Sequence, residues 1–137
     1  MLDFTQLETT FSGKIVSSSH PEYDDSRKVY NANIDKRPQA ILYCENEADV
    51  ISAVNFARDS NSLIAVRCQG HNGSGYSICD DGIVIDLSQI KYTRVDNENN
   101  TVRVGAGCKW EDVDNATAVF GKAVSSGVVS STGVSGL

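Results

Sequence analysis

Leu63-Ile64-Ala65-Val66-Arg67-Cys68-Gln69-Gly70-His71-Asn72-Gly73-Ser74-Gly75 is an apolar run that breaks directly into a glycine loop. The run Leu63 to Val66 reads as a buried strand. The glycines leave the backbone free to turn and to present its N–H groups to an anion. His71 adds one reactive side chain to that loop. Upstream, Pro38 precedes Ala40-Ile41-Leu42-Tyr43-Cys44, a second apolar strand. Between the two strands, Asn46 is a good N-cap, Asp49 complements a helix N-terminus, and Val50, Val54 and Ala57 recur at helical spacing up to about Ser60. Asn61 can then take the left-handed conformation that ends a helix. Strand, helix and strand make a βαβ unit. The glycine loop leaves the carboxyl end of its second strand, where open α/β sheets bind ligands.

Beyond the loop the pattern changes. Ile83-Val84-Ile85-Asp86-Leu87 is a strand. Tyr92 to Val95 and Thr101 to Val104 flank Asp96-Asn97-Glu98-Asn99-Asn100, a strong turn signal, and predict a hairpin. Trp110, Val113, Ala116, Thr117 and Phe120 mark a helix that Gly121 can end, and Ala123-Val124 predicts a last strand. Before the βαβ unit, Asp3 to Phe11 predicts a helix, Lys14 to Ser17 a short strand, and Tyr23 to Asn31 a polar helical stretch. The expected fold is α+β: a βαβ unit followed by a mixed, largely antiparallel sheet with flanking helices. No linker divides it, so residues 1–137 read as one domain.

Composition narrows the function. The formal charge of −6 argues against nucleic acid and against an anionic membrane surface. No apolar run approaches the ~20 residues of a membrane span, and the start Met1-Leu2-Asp3-Phe4 is no signal peptide, which predicts a cytoplasmic protein. Cys44, Cys68, Cys79 and Cys108 have irregular spacing without C-x-x-C and read as free thiols. The tail Gly133-Val134-Ser135-Gly136-Leu137 reads as the middle of a loop, so the chain is expected to be a piece of a longer one.

Taken alone, the loop's G-x-x-G-x-G spacing is neither the dinucleotide G-x-G-x-x-G nor a Walker A loop, and a plain turn explains it equally well. His71 could be a turn residue, an acid/base, a metal ligand or a covalent anchor. Zinc held by Cys68, His71, Cys79 and Cys108 would match no familiar spacing. Arg67 could pair with an acid or hold a phosphate. The glycines of Gly127 to Gly136 could let backbone approach a ligand or simply loosen a loop.

These segments together resemble the FAD-binding domain of the vanillyl-alcohol oxidase superfamily, and more narrowly the berberine bridge enzyme-like, FAD-linked oxidases. The resemblance runs from Ala40-Ile41-Leu42 and Ala48-Asp49-Val50 through Phe56-Ala57-Arg58, Val66-Arg67 and Gly70-His71. Gly82 to Ser88, Val104-Gly105-Ala106-Gly107 and Trp110-Glu111-Asp112-Val113 follow, then Ser126-Gly127 and Thr132 to Leu137. It implies the PCMH-type FAD-binding fold, here incomplete and without its substrate domain. It also implies FAD bound by Arg67, Cys68, Gln69, Gly70, His71, Asn72 and Gly73, and by Gly127, Val128, Thr132, Gly133, Val134 and Gly136. His71 would be bonded to the flavin's 8α methyl carbon. Gln69 stands where the family often has glycine. Val129 stands where some members carry a second, cysteinyl link, so a single link is expected. The implied activity is oxidation of an alcohol or amine-like carbon of a small molecule by hydride transfer to the flavin, with the catalytic base beyond Leu137. A non-catalytic anion- or nucleotide-binding module is the alternative.

Overall fold

The computed structural model describes residues 2–135. In chain order the elements are α1 (Thr5–Glu8), β1 (Lys14–Ser17), α2 (Tyr23–Ser26), β2 (Ala40–Tyr43), α3 (Glu47–Asp59), β3 (Ile64–Arg67), β4 (Ile83–Asp86), β5 (Thr93–Asp96), β6 (Thr101–Val104) and α4 (Trp110–Ala118). A four-stranded sheet has the order β1-β2-β4-β3, and β5 and β6 form a separate two-stranded hairpin. β2 and β3 both run parallel to β4, while β1 is antiparallel to β2. The α+β class with mixed sheets is therefore as expected. The strand after the glycine loop is not a neighbour further out. β4 inserts between the two strands of the βαβ unit.

β4 explains its own central place. Ile83, Val84, Ile85 and Asp86 are all buried, and an uninterrupted apolar strand is stable only where both sheet faces are covered. On one face Ala40, Leu42, Ile83 and Ile85 pack with Ala53 and Ala57 of α3 and with Leu7 and Phe11. The two alanines remove bulk from the helix face that meets the sheet. On the other face Val16, Ile41, Ala65 and Val84 pack with Tyr23 of α2 and with Ile78 and Cys79. The segment returning from β3 to β4 therefore serves as the second layer where a crossover helix would otherwise lie.

Local signals set the ends of the elements. The Asn46 side chain accepts from the Asp49 N–H at 2.9 Å, a cap worth about 1 kcal/mol. Asp49 is itself buried, and its two oxygens accept from the N–H groups of Ser12 and Glu45. Asn61 ends α3 with φ 50° and Gly121 follows α4 with φ 64°. Asp96 accepts from the N–H groups of Glu98 and Asn99 at the hairpin turn, which holds its carboxyl below the usual range, chiefly through the Asn99 side chain.

Four expectations change. The run read as a buried strand over Leu63 to Val66 is β3 at the sheet edge, where Leu63 and Val66 are more than half exposed. The first helix is a single turn over Thr5–Glu8, although Leu7 and Phe11 are buried as the apolar spacing required. The polar stretch after Tyr23 is helical only to Ser26. Ala123-Val124 forms no strand: among the described residues no strand lies beside it to take its hydrogen bonds. No described helix is long and apolar enough to cross a membrane, and the four cysteines are free.

Candidate functional site

A cavity of about 580 Å³ opens at the carboxyl ends of β3 and β4, within the usual size of a small-molecule site. Val66 to Gly73 line it together with Tyr76, Ser77, Leu87, Thr132, Gly133 and Ser135. The predicted loop, Arg67 to Gly73, and the predicted tail residues Thr132 and Gly133 thus meet around one space, although they lie far apart in sequence. Gly127, Val128 and Val134 are outside the lining; Val128 is fully exposed, and the Val134 N–H donates to the Cys108 carbonyl. Gly136 lies outside the described residues.

The loop is held from outside by Tyr30, Asn31 and Lys36. The Tyr30 N–H donates to the Gly70 carbonyl at 3.0 Å, and Asn31 Nδ2 donates to the Gly73 carbonyl at 2.8 Å. Lys36 Nζ donates to the carbonyls of Gly75 and Ile78. These bonds occupy carbonyl oxygens. Among the described residues, the amide N–H groups from Gln69 to Ser74 donate to no acceptor of the chain. Gly70 has φ 70°, the left-handed conformation that favours glycine. At Gly73 an added Cβ would meet no chain atom within 4 Å.

Arg67 is settled by its partners. Its Nε donates to Asp86 Oδ2 at 2.7 Å, Nη1 to the Ser26 carbonyl at 2.8 Å, and Nη2 lies 3.4 Å from the Tyr43 hydroxyl. Arg67 and Asp86 face each other in register across the parallel β3–β4 pair, and both are buried. The residue lines the cavity, but its guanidinium is committed to a structural ion pair.

The tail is fastened through the β6–α4 connection and the start of α4. The N–H groups of Trp110 and Glu111, orphan donors at the start of α4, donate to the carbonyls of Thr132 and Ser130. Lys109 bridges to Gly133. Gln69 Nε2 donates to the Gly107 carbonyl at 3.0 Å, and a Cβ at Gly133 would come within 2.7 Å of Gln69 Cγ. Gln69 is therefore a strut between the loop, the β6–α4 connection and the tail. Ser135 Oγ donates to the Ala106 carbonyl at 2.7 Å, which leaves the Cys68 thiol as donor to Ser135 Oγ, also at 2.7 Å. Burial pushes the Cys68 thiol up, against a smaller lowering from Ser135. It stays a neutral hydrogen-bond donor and not a nucleophile.

His71 differs from its neighbours. It lines the cavity yet is exposed, and among the described residues its imidazole makes no hydrogen bond. One contact orients it: the Tyr30 ring stands edge-on to it, with centroids 5.2 Å apart and planes at 73°.

Residues 38–137 match the family described as FAD binding domain. The chain belongs to that family. It is 35% identical over 138 residues to an FAD-linked oxidoreductase of Dictyostelium discoideum, covering 97% of this chain and 30% of the relative. It is 30% identical over 135 residues to (R)-6-hydroxynicotine oxidase of Paenarthrobacter nicotinovorans, again with 97% and 30% covered. The solved structure of Physcomitrella patens BBE-like 1 superposes with a TM-score of 0.89 at 25% identity, over 98% of this chain and 30% of that one. The chain therefore spans about 30% of the length of the curated relatives it matches.

The cavity of this FAD binding domain suits the cofactor on its own geometry. A diphosphate needs several N–H donors that the protein has not already used, and the lining residues Gln69 to Gly73 leave theirs unused among the described residues. Two wall residues that the sequence did not single out add to this. Leu87 contributes an apolar side. Ser77 is buried, and its Oγ has no hydrogen-bond partner among the described residues. An unmet buried hydroxyl costs roughly 1–3 kcal/mol. In the protein without cofactor, Ser77→Ala should raise stability by about 1 kcal/mol in urea denaturation. A loss of similar size would show that the hydroxyl already has a partner. No local pattern distinguishes Ser77 from the chain's other serines; only its burial does.

Proposed function

We propose that this chain forms the cofactor-holding part of an FAD-linked oxidoreductase that oxidises an alcohol or amine-like carbon of a small molecule, with the flavin tethered covalently through His71. The carrying observation is His71 itself, an unbonded imidazole on the wall of a cavity lined by free amides, in a chain of the FAD binding domain family. The flavin, when bound, supplies the hydride acceptor. The residues here would bind and orient it. The amides from Gln69 to Gly73 take the diphosphate, and Thr132 and Gly133 complete the wall. Arg67 contributes by fixing the loop's origin and not by touching phosphate. Val129 offers no thiol, which supports a single tether. A relative named as an oxidase of 6-hydroxynicotine supports an amine-like substrate. Four free thiols suit a reducing compartment such as the cytoplasm.

In the uninterrupted gene product, His71→Ala should still bind FAD but lose it entirely on denaturing gel filtration, where the native protein keeps it. Flavin retained by the variant under denaturant would sink the tether. A well-folded native protein that binds no flavin at all would favour the alternative, a non-catalytic anion-binding module.

A further inference from the structure

We infer that Tyr30 is the positioning residue for His71, holding its imidazole in the orientation from which the covalent link forms; this rests on the tether proposed above. Tyr30 is 77% exposed, so its ring contributes little to the core and its place needs another account. The backbone around it is fully employed. The Tyr30 N–H donates to the Gly70 carbonyl, the neighbouring Asn31 side chain donates to the Gly73 carbonyl, and Val29 Cα would lie 3.6 Å from a Cβ added at Gly70. These contacts grip the loop on both sides of His71 and fix the distance between the two segments. The Tyr30 ring then projects against His71 in an edge-to-face arrangement at 5.2 Å, a favoured aromatic geometry. Because His71 has no hydrogen bond to the described residues, this contact is what limits its ring rotation. Forming the link breaks one C–H bond of the 8α methyl group and the imidazole N–H bond and joins nitrogen to carbon; the two protons and two electrons released pass by way of the flavin ring to dioxygen, which leaves as hydrogen peroxide. The attacking nitrogen needs a limited orientation, since misorientation of the attacking atom costs rate steeply.

The Tyr30 hydroxyl makes no hydrogen bond among the described residues, so the ring alone should act, and Tyr30→Phe should behave as the native protein. Tyr30→Ala keeps the backbone bond to Gly70 and removes only the ring. Two readouts separate positioning from plain stability. In the NMR spectrum of the flavin-free protein, the His71 ring protons should carry a ring-current shift that persists in Tyr30→Phe and vanishes in Tyr30→Ala, with the melting temperature unchanged. On incubation of the uninterrupted apoprotein with FAD, covalent incorporation should slow about tenfold in Tyr30→Ala, on the order of what one edge-to-face pair contributes, and run at the native rate in Tyr30→Phe. Equal incorporation rates in the native protein and Tyr30→Ala, or a Tyr30→Phe as slow as Tyr30→Ala, would overturn the inference while leaving the tether standing. Absence of covalent flavin in the native protein would overturn the tether and the inference together.

Discussion

Asp86→Ala will destabilise the fold by about 3–5 kcal/mol. The Asp86 carboxylate is 2% exposed and its partner Arg67 is 5% exposed. Removing the acid leaves a guanidinium in the interior with its Nε unpaired, and it also strips the Ser88 N–H of its acceptor. An uncompensated buried charge is among the few single changes that reach this size. The diagnostic comparison is with the double variant Arg67→Met with Asp86→Leu, which removes both charges and keeps volume. It should be more stable than Asp86→Ala alone, because the ion pair's own contribution is far smaller than the penalty of breaking it. Urea denaturation of both variants checks this. A loss below about 1 kcal/mol in Asp86→Ala would mean that Arg67 is free to turn toward the cavity, and the phosphate-ligand reading of that residue would return.

Gly107→Ala is the second large effect, and it acts on the site as well as the fold. A Cβ there would sit 2.5 Å from the Ser88 carbonyl oxygen and 2.6 Å from that of Leu87. Both are backbone atoms, so no side chain can swing away to relieve the clash. Forced shifts of this kind cost about 1–3 kcal/mol or more. The same residue donates through its N–H to the Ile90 carbonyl and accepts from Gln69 Nε2. Displacing it therefore moves the strut that joins the glycine loop to the tail. The expected result is a lowered melting temperature together with FAD affinity weakened beyond what the stability loss alone explains. Gln69→Ala is the control. It should weaken FAD binding with little change in melting temperature. Unchanged FAD affinity in both variants would show that the strut has no part in shaping the cavity.

Much of the fold was legible because local chemistry decided it. Asn46, Asn61 and Gly121 marked helix ends by capping and by backbone handedness. The run Asp96 to Asn100 marked the hairpin because its side chains bond their own backbone. The order of strands was not legible. β2, β3 and β4 are all short apolar runs, and nothing local says that β4 pairs with both others. That follows from its being apolar on both faces once the layers exist. Ala123-Val124 looked like a strand for the same reason, an apolar pair judged without knowing whether a neighbour stood beside it.

The site divides along the same line. The loop from Arg67 to Gly73 was readable because glycines, a histidine and a preceding strand sit together in sequence. The role of Arg67 was not, because Asp86 decides it from the adjacent strand. Ser77 and Tyr30 were missed since an orphaned hydroxyl and an edge-on ring exist only in three dimensions. Trp110, one of the residues that marked α4, is half-buried, and its indole N–H is enclosed without a partner among the described residues.

In the proposed function His71 carries the flavin. The most direct measurement is the intact mass of the uninterrupted gene product, acid-denatured and separated from small molecules, followed by peptide mapping. The expected result is a protein heavier by one FAD, with the adduct on His71. A folded protein that releases all its flavin on denaturation, or carries it on another residue, would contradict it.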